Sequence, residues 1–203
     1  MKLNRLEFIA MNNPVRAYIQ EKYEIRILRS MTQAVNSGTV LEIGCGNGTG
    51  SRLIKKYFSP QRIIAIDLDE RMIDIARNRN RDSSVTYRVM DALKLDFDNE
   101  QFDAAFDFGI IHHIADWKRC IRELKRVLKP GGELVLEDLS VETFTKGIGH
   151  LWRILSDHPY GDMYSVRQFT EYLAAEGFKI ESFRESNPLG LVRFFSLAAK
   201  RLL

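Results

Sequence analysis

Short apolar, β-branched runs alternate along this chain with stretches of helical period, and that alternation constrains the fold more than any other feature. The runs are Thr39–Ile43, Arg62–Ile66, Val85–Val89, Ala104–Phe106, Glu133–Glu137, Lys179–Phe183 and Phe194–Ala199. Between them, Glu70–Asn80 carries Met72, Ile73 and Ala76 on one stripe. Asp116–Lys129 carries Ile121, Leu124, Val127 and Leu128 at helical spacing. Strand, helix, strand in succession makes parallel crossover units, which predicts an α/β three-layer sandwich. The first runs are apolar on consecutive residues, as strands covered on both faces are. The connection Glu185–Leu191, with Asn187-Pro188 and Gly190, is short enough for a hairpin. The last strand is therefore expected antiparallel to its neighbour.

A chain of 203 residues, 45% apolar and 28% charged, suits one globular domain. We divide it into a helical cap (1–35), a core (36–138), an insertion (139–164) and a closing helix and hairpin (165–203). Two cysteines exclude a disulfide scaffold and point to a reducing compartment. No Cys/His spacing matches a zinc site, so no metal is expected. No apolar run is long enough to span a membrane, and the N-terminus lacks a cleavable apolar core. These features predict a cytoplasmic protein. Asn13–Val35 reads as a helix with Pro14 in its first turn. Residues 1–35 hold six Lys/Arg against three Glu, which fits either a solvated covering helix or a lid. The helix from Asp116 meets a stop signal at Lys129-Pro130-Gly131-Gly132.

The most specific stretch is Val40-Leu41-Glu42-Ile43-Gly44-Cys45-Gly46-Asn47-Gly48-Thr49-Gly50. A buried strand runs into a glycine-dense turn and then a helix beginning near Ser51. Glycines there admit positive φ and let a ligand approach the main chain. A dinucleotide loop needs G-x-G-x-x-G, but Thr49 or Ser51 occupies the third glycine position in either register. Glu42 before the loop suits a cationic ligand better than a pyrophosphate.

The segment Glu42-Ile43-Gly44-Cys45-Gly46-Asn47-Gly48 resembles the first motif of class I S-adenosylmethionine-dependent methyltransferases. Further landmarks follow in family order. Ile64-Ala65-Ile66-Asp67 resembles the second strand, whose acid accepts from both ribose hydroxyls, and Leu68 the apolar residue packed on adenine. Val89-Met90-Asp91-Ala92 resembles the third-strand tip beside the adenine amine. Phe102-Asp103 through His112-His113-Ile114 resembles the segment beside the methionine moiety. Leu128 through Gly132 resembles the turn before the fifth strand. The resemblance covers roughly residues 38–140. It implies a Rossmann-like, seven-stranded, mostly parallel sheet that binds S-adenosylmethionine and yields S-adenosylhomocysteine. The cofactor residues it implies are Glu42, Gly44, Gly46, Gly48, Asp67, Leu68, Asp91, Ala92, Asp107 and Gly109. Asp67 and Asp91 also read as a helix cap and a loop acid. Cys45 reads as a small side chain rather than a reactive thiol.

Methyl transfer depends on positioning, and a general base is needed only when the nucleophile must lose a proton. His113 is the candidate base, or a structural hydrogen-bonding residue at its loop. Asp107 stands where similar sequences carry a small residue. It reads as a partner for the cofactor ammonium or a basic substrate, or as a solvent-facing acid. Leu139–Tyr164, with His150, Trp152, Arg153, His158, Tyr160 and Tyr164, reads as a substrate cover, a packed amphipathic helix, or both. Lys118–Lys129 holds six Lys/Arg and one Glu, but its apolar spacing makes the cations a solvated face. The expected acceptor is thus a small molecule and not a nucleic acid. The competing readings are a nucleotide-dependent oxidoreductase and a non-catalytic S-adenosylmethionine-binding protein.

Overall fold

The computed structural model describes residues 12–32, 38–145, 160–187 and 193–203. Its seven strands are β1 (Thr39–Ile43), β2 (Arg62–Asp67), β3 (Val85–Val89), β4 (Phe102–Phe108), β5 (Leu128–Asp138), β6 (Phe178–Ser186) and β7 (Phe194–Arg201). They form one sheet in the order β3-β2-β1-β4-β5-β7-β6. The first five pair in parallel, and β7 runs antiparallel to both β5 and β6. The order reverses between β1 and β4, and the crevice at their carboxyl ends is where open α/β sheets bind ligands.

Helices cover both faces. The N-terminal helix comprises α1 (Pro14–Ile19), π-helical turns at Gln20–Glu24 and α2 (Ile25–Met31). It is followed by α3 (Thr49–Phe58), α4 (Glu70–Arg79), α5 (Trp117–Val127) and α6 (Val166–Ala175). Successive strand residues point to opposite faces. Val40, Ile63, Ala65, Phe106 and Val135 thus meet Ile25 and Leu28 of α2, Leu53, Ile54 and Phe58 of α3, and Ile73 of α4. Leu41, Ile43, Leu134 and Leu136 meet Ile121 and Leu124 of α5 and Phe169 and Leu173 of α6. The expected three layers and reversed strand are therefore present.

Side-chain caps fix the helix starts. Asn13 accepts from Val15 N ahead of Pro14, Asp69 from Arg71 N, Asp116 from Arg119 N and Ser165 from Gln168 N. The stop signal after α5 is used differently from the sequence expectation. The helix ends at Val127, and Leu128 already pairs with Phe102 of β4. The next pairing is Glu133 with Ala104, so Lys129-Pro130-Gly131-Gly132 bulges out of β5 instead of forming a separate turn. A bulge tolerates Pro130, which has no amide to pair.

Of the Leu139–Tyr164 segment, the two ends are described. Val141–Phe144 forms a 3₁₀ turn, and Val141 N donates to Tyr164 O at 3.0 Å. His150, Trp152, Arg153 and His158 lie outside the described residues, as do 33–35 of the cap and 188–191 of the hairpin connection.

Candidate cofactor and acceptor site

Between β1 and α3 the chain takes positive φ at Gly44 (60°), Gly46 (52°) and Gly48 (81°). Three glycines of this stretch are forced by packing. A Cβ on Gly44 would stand 2.5 Å from Ile110 Cγ1, and on Gly48 2.8 Å from the Tyr87 hydroxyl. On Gly50 it would stand 2.1 Å from Glu42 Oε1, because α3 lies directly on the β1 tip. Gly46 differs: among the described residues its Cβ would meet only Met72 Cε, at 3.4 Å, an ordinary contact. Cys45 between them is buried, and burial pushes its thiol well up, which suits an inert small side chain.

Glu42 is buried beneath α3 and accepts from the Ser51 hydroxyl. Burial pushes its carboxyl up to about 8, Ser51 opposes this, and the Asp67 charge adds to it. It is thus largely neutral near neutral pH, and it fastens α3 to β1. The sequence reading had it as a carboxylate facing a cation.

Asp67 closes β2 with both oxygens on main-chain donors: Gly46 N at 2.8 Å and Asp69 N at 2.9 Å. Each oxygen keeps a further lone pair. The cap of α4 is Asp69, not Asp67. Leu68 beside it is 37% exposed, an uncovered apolar side chain at a strand tip. Asp91 is exposed, with Oδ1 accepting from Leu93 N at 2.9 Å, and Ala92 beside it is half-buried. Met90 N donates to Asp67 O at 3.0 Å, which brings the third tip to the second.

At the β4 tip, Asp107 is fully buried and so does not face solvent. Its Oδ1 accepts from Ile110 N at 2.8 Å. Burial, then the charge of Asp138, pushes its carboxyl well above the usual range. Asp138 is a hub the sequence did not reveal. It accepts from His112 N at 3.0 Å, Leu139 N at 2.7 Å, the Tyr164 hydroxyl at 2.6 Å and the His112 ring. Its partners come from 26 residues upstream and downstream, a separation with no local pattern to betray it. His112 and Tyr164 are thereby structural. His113 is half-buried, its ring centroid 4.1 Å from that of His112. Gly109 has φ 83°, and among the described residues a Cβ there would find only His112 Cε1 at 3.8 Å and Glu137 O at 4.0 Å.

The N-terminal helix reaches over this edge. Asn12 Oδ1 accepts from Asn47 Nδ2 of the glycine loop at 3.3 Å. Glu21 is held by Lys56 at 2.6 Å and Arg52 at 3.3 Å, which moors the helix on α3. Arg16 pairs with the buried Glu24, and both stand near the buried Glu137 at the β5 tip. Tyr18 is 60% exposed on the outer side of the helix, and Tyr160 packs against Phe144 with ring centroids 5.2 Å apart. On α5, Lys118 lies over the Trp117 and Tyr172 rings, Arg122 bonds the Tyr172 hydroxyl, and Arg126 holds Leu95 O and Phe97 O. Those cations serve the protein's own packing.

Beside the glycine turn, Asp67 thus presents two acceptor oxygens and Leu68 a partly exposed apolar side chain. Residues 41–136 match the family described as "Methyltransferase domain". Over 131 residues the chain is 32% identical to the phthiotriol/phenolphthiotriol dimycocerosates methyltransferase of Mycobacterium leprae, covering 64% of this chain and 47% of that protein. It is 32% identical over 115 residues to phosphoethanolamine N-methyltransferase 2 of Caenorhabditis elegans, covering 55% and 26%. It thus spans about half or less of the curated relatives it matches. A solved SAM-dependent methyltransferase from Aquifex aeolicus superposes with a TM-score of 0.77 at 20% identity, covering 99% of this chain and all of that one. Residues 41–136 thus match the methyltransferase-domain family, and the chain has the fold of that solved methyltransferase.

Proposed function

We propose that this protein transfers a methyl group from S-adenosylmethionine to a small molecule held over the carboxyl edge of the sheet. The observation that carries this reading is the positive-φ main chain at Gly46, whose Cβ would meet only Met72 Cε among the described residues, beside the two acceptor oxygens of Asp67. In this proposal Gly44, Gly46 and Gly48 shape the loop, Asp67 takes the ribose hydroxyls, Leu68 packs on adenine, and Asp91 with Ala92 meets the adenine amine. Asp107 and Gly109 border the methionine end, and Glu42 acts from beneath as a neutral strut. S-adenosylmethionine supplies an electrophilic methyl carbon on a sulfonium. The chain's task is then to orient an acceptor and, where the acceptor carries a proton, to take it; His113 is the histidine available at the edge.

In this proposal the N-terminal helix covers the acceptor, and the whole chain works as one unit. The small-molecule assignment draws on relatives named for phthiotriol lipids and phosphoethanolamine. Nucleic acid is not part of the reading, since Lys118, Arg122 and Arg126 of α5 are occupied by local contacts. Cys45 and Cys120, both free and buried, support a cytoplasmic setting. No helix among the described residues is long and apolar enough to cross a membrane.

Isothermal titration tests the reading. S-adenosylmethionine and S-adenosylhomocysteine should bind and NAD should not. Binding of NAD without S-adenosylhomocysteine would transfer the protein to the oxidoreductases. Cofactor binding with no product across a metabolite panel would favour a non-catalytic binder.

A further inference from the structure

The N-terminal helix has two apolar faces, and the core uses one of them. Ile25 and Leu28 are fully buried against the sheet and α3, with Gln20 and Glu24 buried on the same side. The other face carries Val15, Tyr18, Ile19, Lys22, Tyr23 and Arg26 at helical spacing, and all six are exposed. Val15 is 61% exposed, Tyr18 60%, Ile19 41% and Tyr23 61%. No other described helix exposes a large apolar side chain. Single exposed apolar residues are ordinary, but four on one stripe mark an interaction surface. A helix that only covers a sheet needs its inner face alone to be apolar.

The charges on this outer face have one sign. Lys22 and Arg26 are exposed on it, and Lys22 Nζ lies 5.8 Å from the Tyr18 ring centroid. The acids of the helix are turned away: Glu21 is held by Lys56 and Arg52 of α3, and Glu24 is buried with Arg16. One acid shared by two half-exposed cations leaves the α3 border of the stripe positive too. A second copy seated here would set Lys22 and Arg26 against the same two cations, with no acid to meet them. An anionic lipid surface suits each of these features. Tyrosine rings favour the boundary between hydrocarbon and water, where the hydroxyl stays wet. Lysine and arginine stems lie along apolar surface while their charged ends reach outward.

We propose that the outer face of the N-terminal helix docks this protein on an anionic lipid bilayer. The helix lies in the plane of the headgroups. Val15, Tyr18, Ile19 and Tyr23 enter the boundary of the acyl chains, and Lys22 and Arg26 meet lipid phosphates. The inner face keeps its place on the sheet, since the two faces share no residue. The carboxyl edge, which Asn12 reaches at Asn47 of the glycine loop, then sits next to the bilayer. Binding is reversible, because a short apolar stripe with two cations anchors far less firmly than a spanning helix. The proposal adds a partner to the methyltransferase reading and does not depend on it.

The test is co-sedimentation of the full chain with vesicles of phosphatidylcholine alone or of equal parts phosphatidylcholine and phosphatidylglycerol. The anionic vesicles should bind at least about tenfold more tightly, the scale of two cations near a charged surface. Added salt should weaken that binding. Lys22→Ala with Arg26→Ala should remove most of the preference for the anionic vesicles. Tyr18→Ser with Tyr23→Ser should weaken binding to them at least about tenfold, the scale of lost apolar burial. Arg79→Ala with Arg81→Ala removes two exposed cations at and just past the far end of α4, and should leave binding unchanged. All three variants replace exposed side chains, so each should keep a urea midpoint close to that of the parent chain. No binding to anionic vesicles, undiminished binding in both stripe variants, or an equal loss in the Arg79/Arg81 variant would overturn the proposal. So would a dimer that excludes vesicles and that the tyrosine variant abolishes, which would assign the stripe to a second copy.

Discussion

Gly46 and Gly50 lie four residues apart and make opposite demands. A side chain at Gly50 collides with Glu42 at 2.1 Å, whereas one at Gly46 meets only Met72 Cε among the described residues, at 3.4 Å, at the cost of a strained φ. Gly50→Ala should therefore lower the urea midpoint markedly, because α3 must lift off β1. Gly46→Ala should cost only about 1 kcal/mol of stability, the order of strain for a left-handed non-glycine residue, yet still weaken S-adenosylhomocysteine. Equal losses of stability in the two variants would contradict the distinction. Asp67→Ala should weaken cofactor binding by about 1.5–3 kcal/mol, the range for hydrogen bonds to charged groups. An unchanged dissociation constant in the folded variant would make Asp67 a loop brace for Gly46 and Asp69 only. The loop glycines, Asp67, Leu68 and Asp91 were all visible in the sequence, because their spacing from strand ends is local. Asp138, Glu24 and Glu137 were not visible. Their partners lie far away along the chain, and nothing in a run such as Glu133–Asp138 says which acid meets a helix laid down a hundred residues earlier.

At the scale of elements, the N-terminal helix does two jobs along its length. Ile25 and Leu28 of α2 are fully buried in the core, while α1 has no buried residue. Deletion through Ile19 should leave the fold and S-adenosylhomocysteine binding largely intact and reduce acceptor turnover, since α1 over the sheet edge is lost. Deletion through Met31 should also destabilise the chain by several kcal/mol, as losing a large buried aliphatic side chain costs about 2–5 kcal/mol. Full turnover in the shorter deletion would end the lid role of α1. Helix and strand placement was legible because period and burial coincide: Val85–Val89 and Thr39–Ile43 match their apolar runs, and the helices from Asp116 and from residue 165 begin where expected. The β5 bulge was not legible. Lys129-Pro130-Gly131-Gly132 carries the chemistry of a helix stop, and strand pairing by Leu128 is a main-chain event decided by Phe102 across the sheet.

Across the whole molecule, the sheet gathers several acids at one edge and buries them. The carboxyls of Glu42, Asp107 and Glu137 are all raised, in each case chiefly by burial. Their folded forms hold protons that the unfolded chain releases. The stabilisation is complete below the unfolded pKa, near 4.5 for Glu42, and is lost as pH rises through its folded value of about 8. Unfolding free energy should therefore fall across that window, and Glu42→Gln should flatten the decline. Urea denaturation at several pH values reads this directly; a steeper slope in the variant would contradict the assignment. The same edge is where the cofactor is proposed to lie, so the fold's least comfortable groups and its chemistry share one location.

The most direct measurement is a crystal structure of the full chain with S-adenosylhomocysteine. The account predicts the ribose hydroxyls on the Asp67 carboxylate, the ligand against the main chain of Gly46, and its sulfur end directed to Gly109. A ligand bound away from Gly46, or an Asp67 carboxylate that touches only the amides of Gly46 and Asp69, would contradict it.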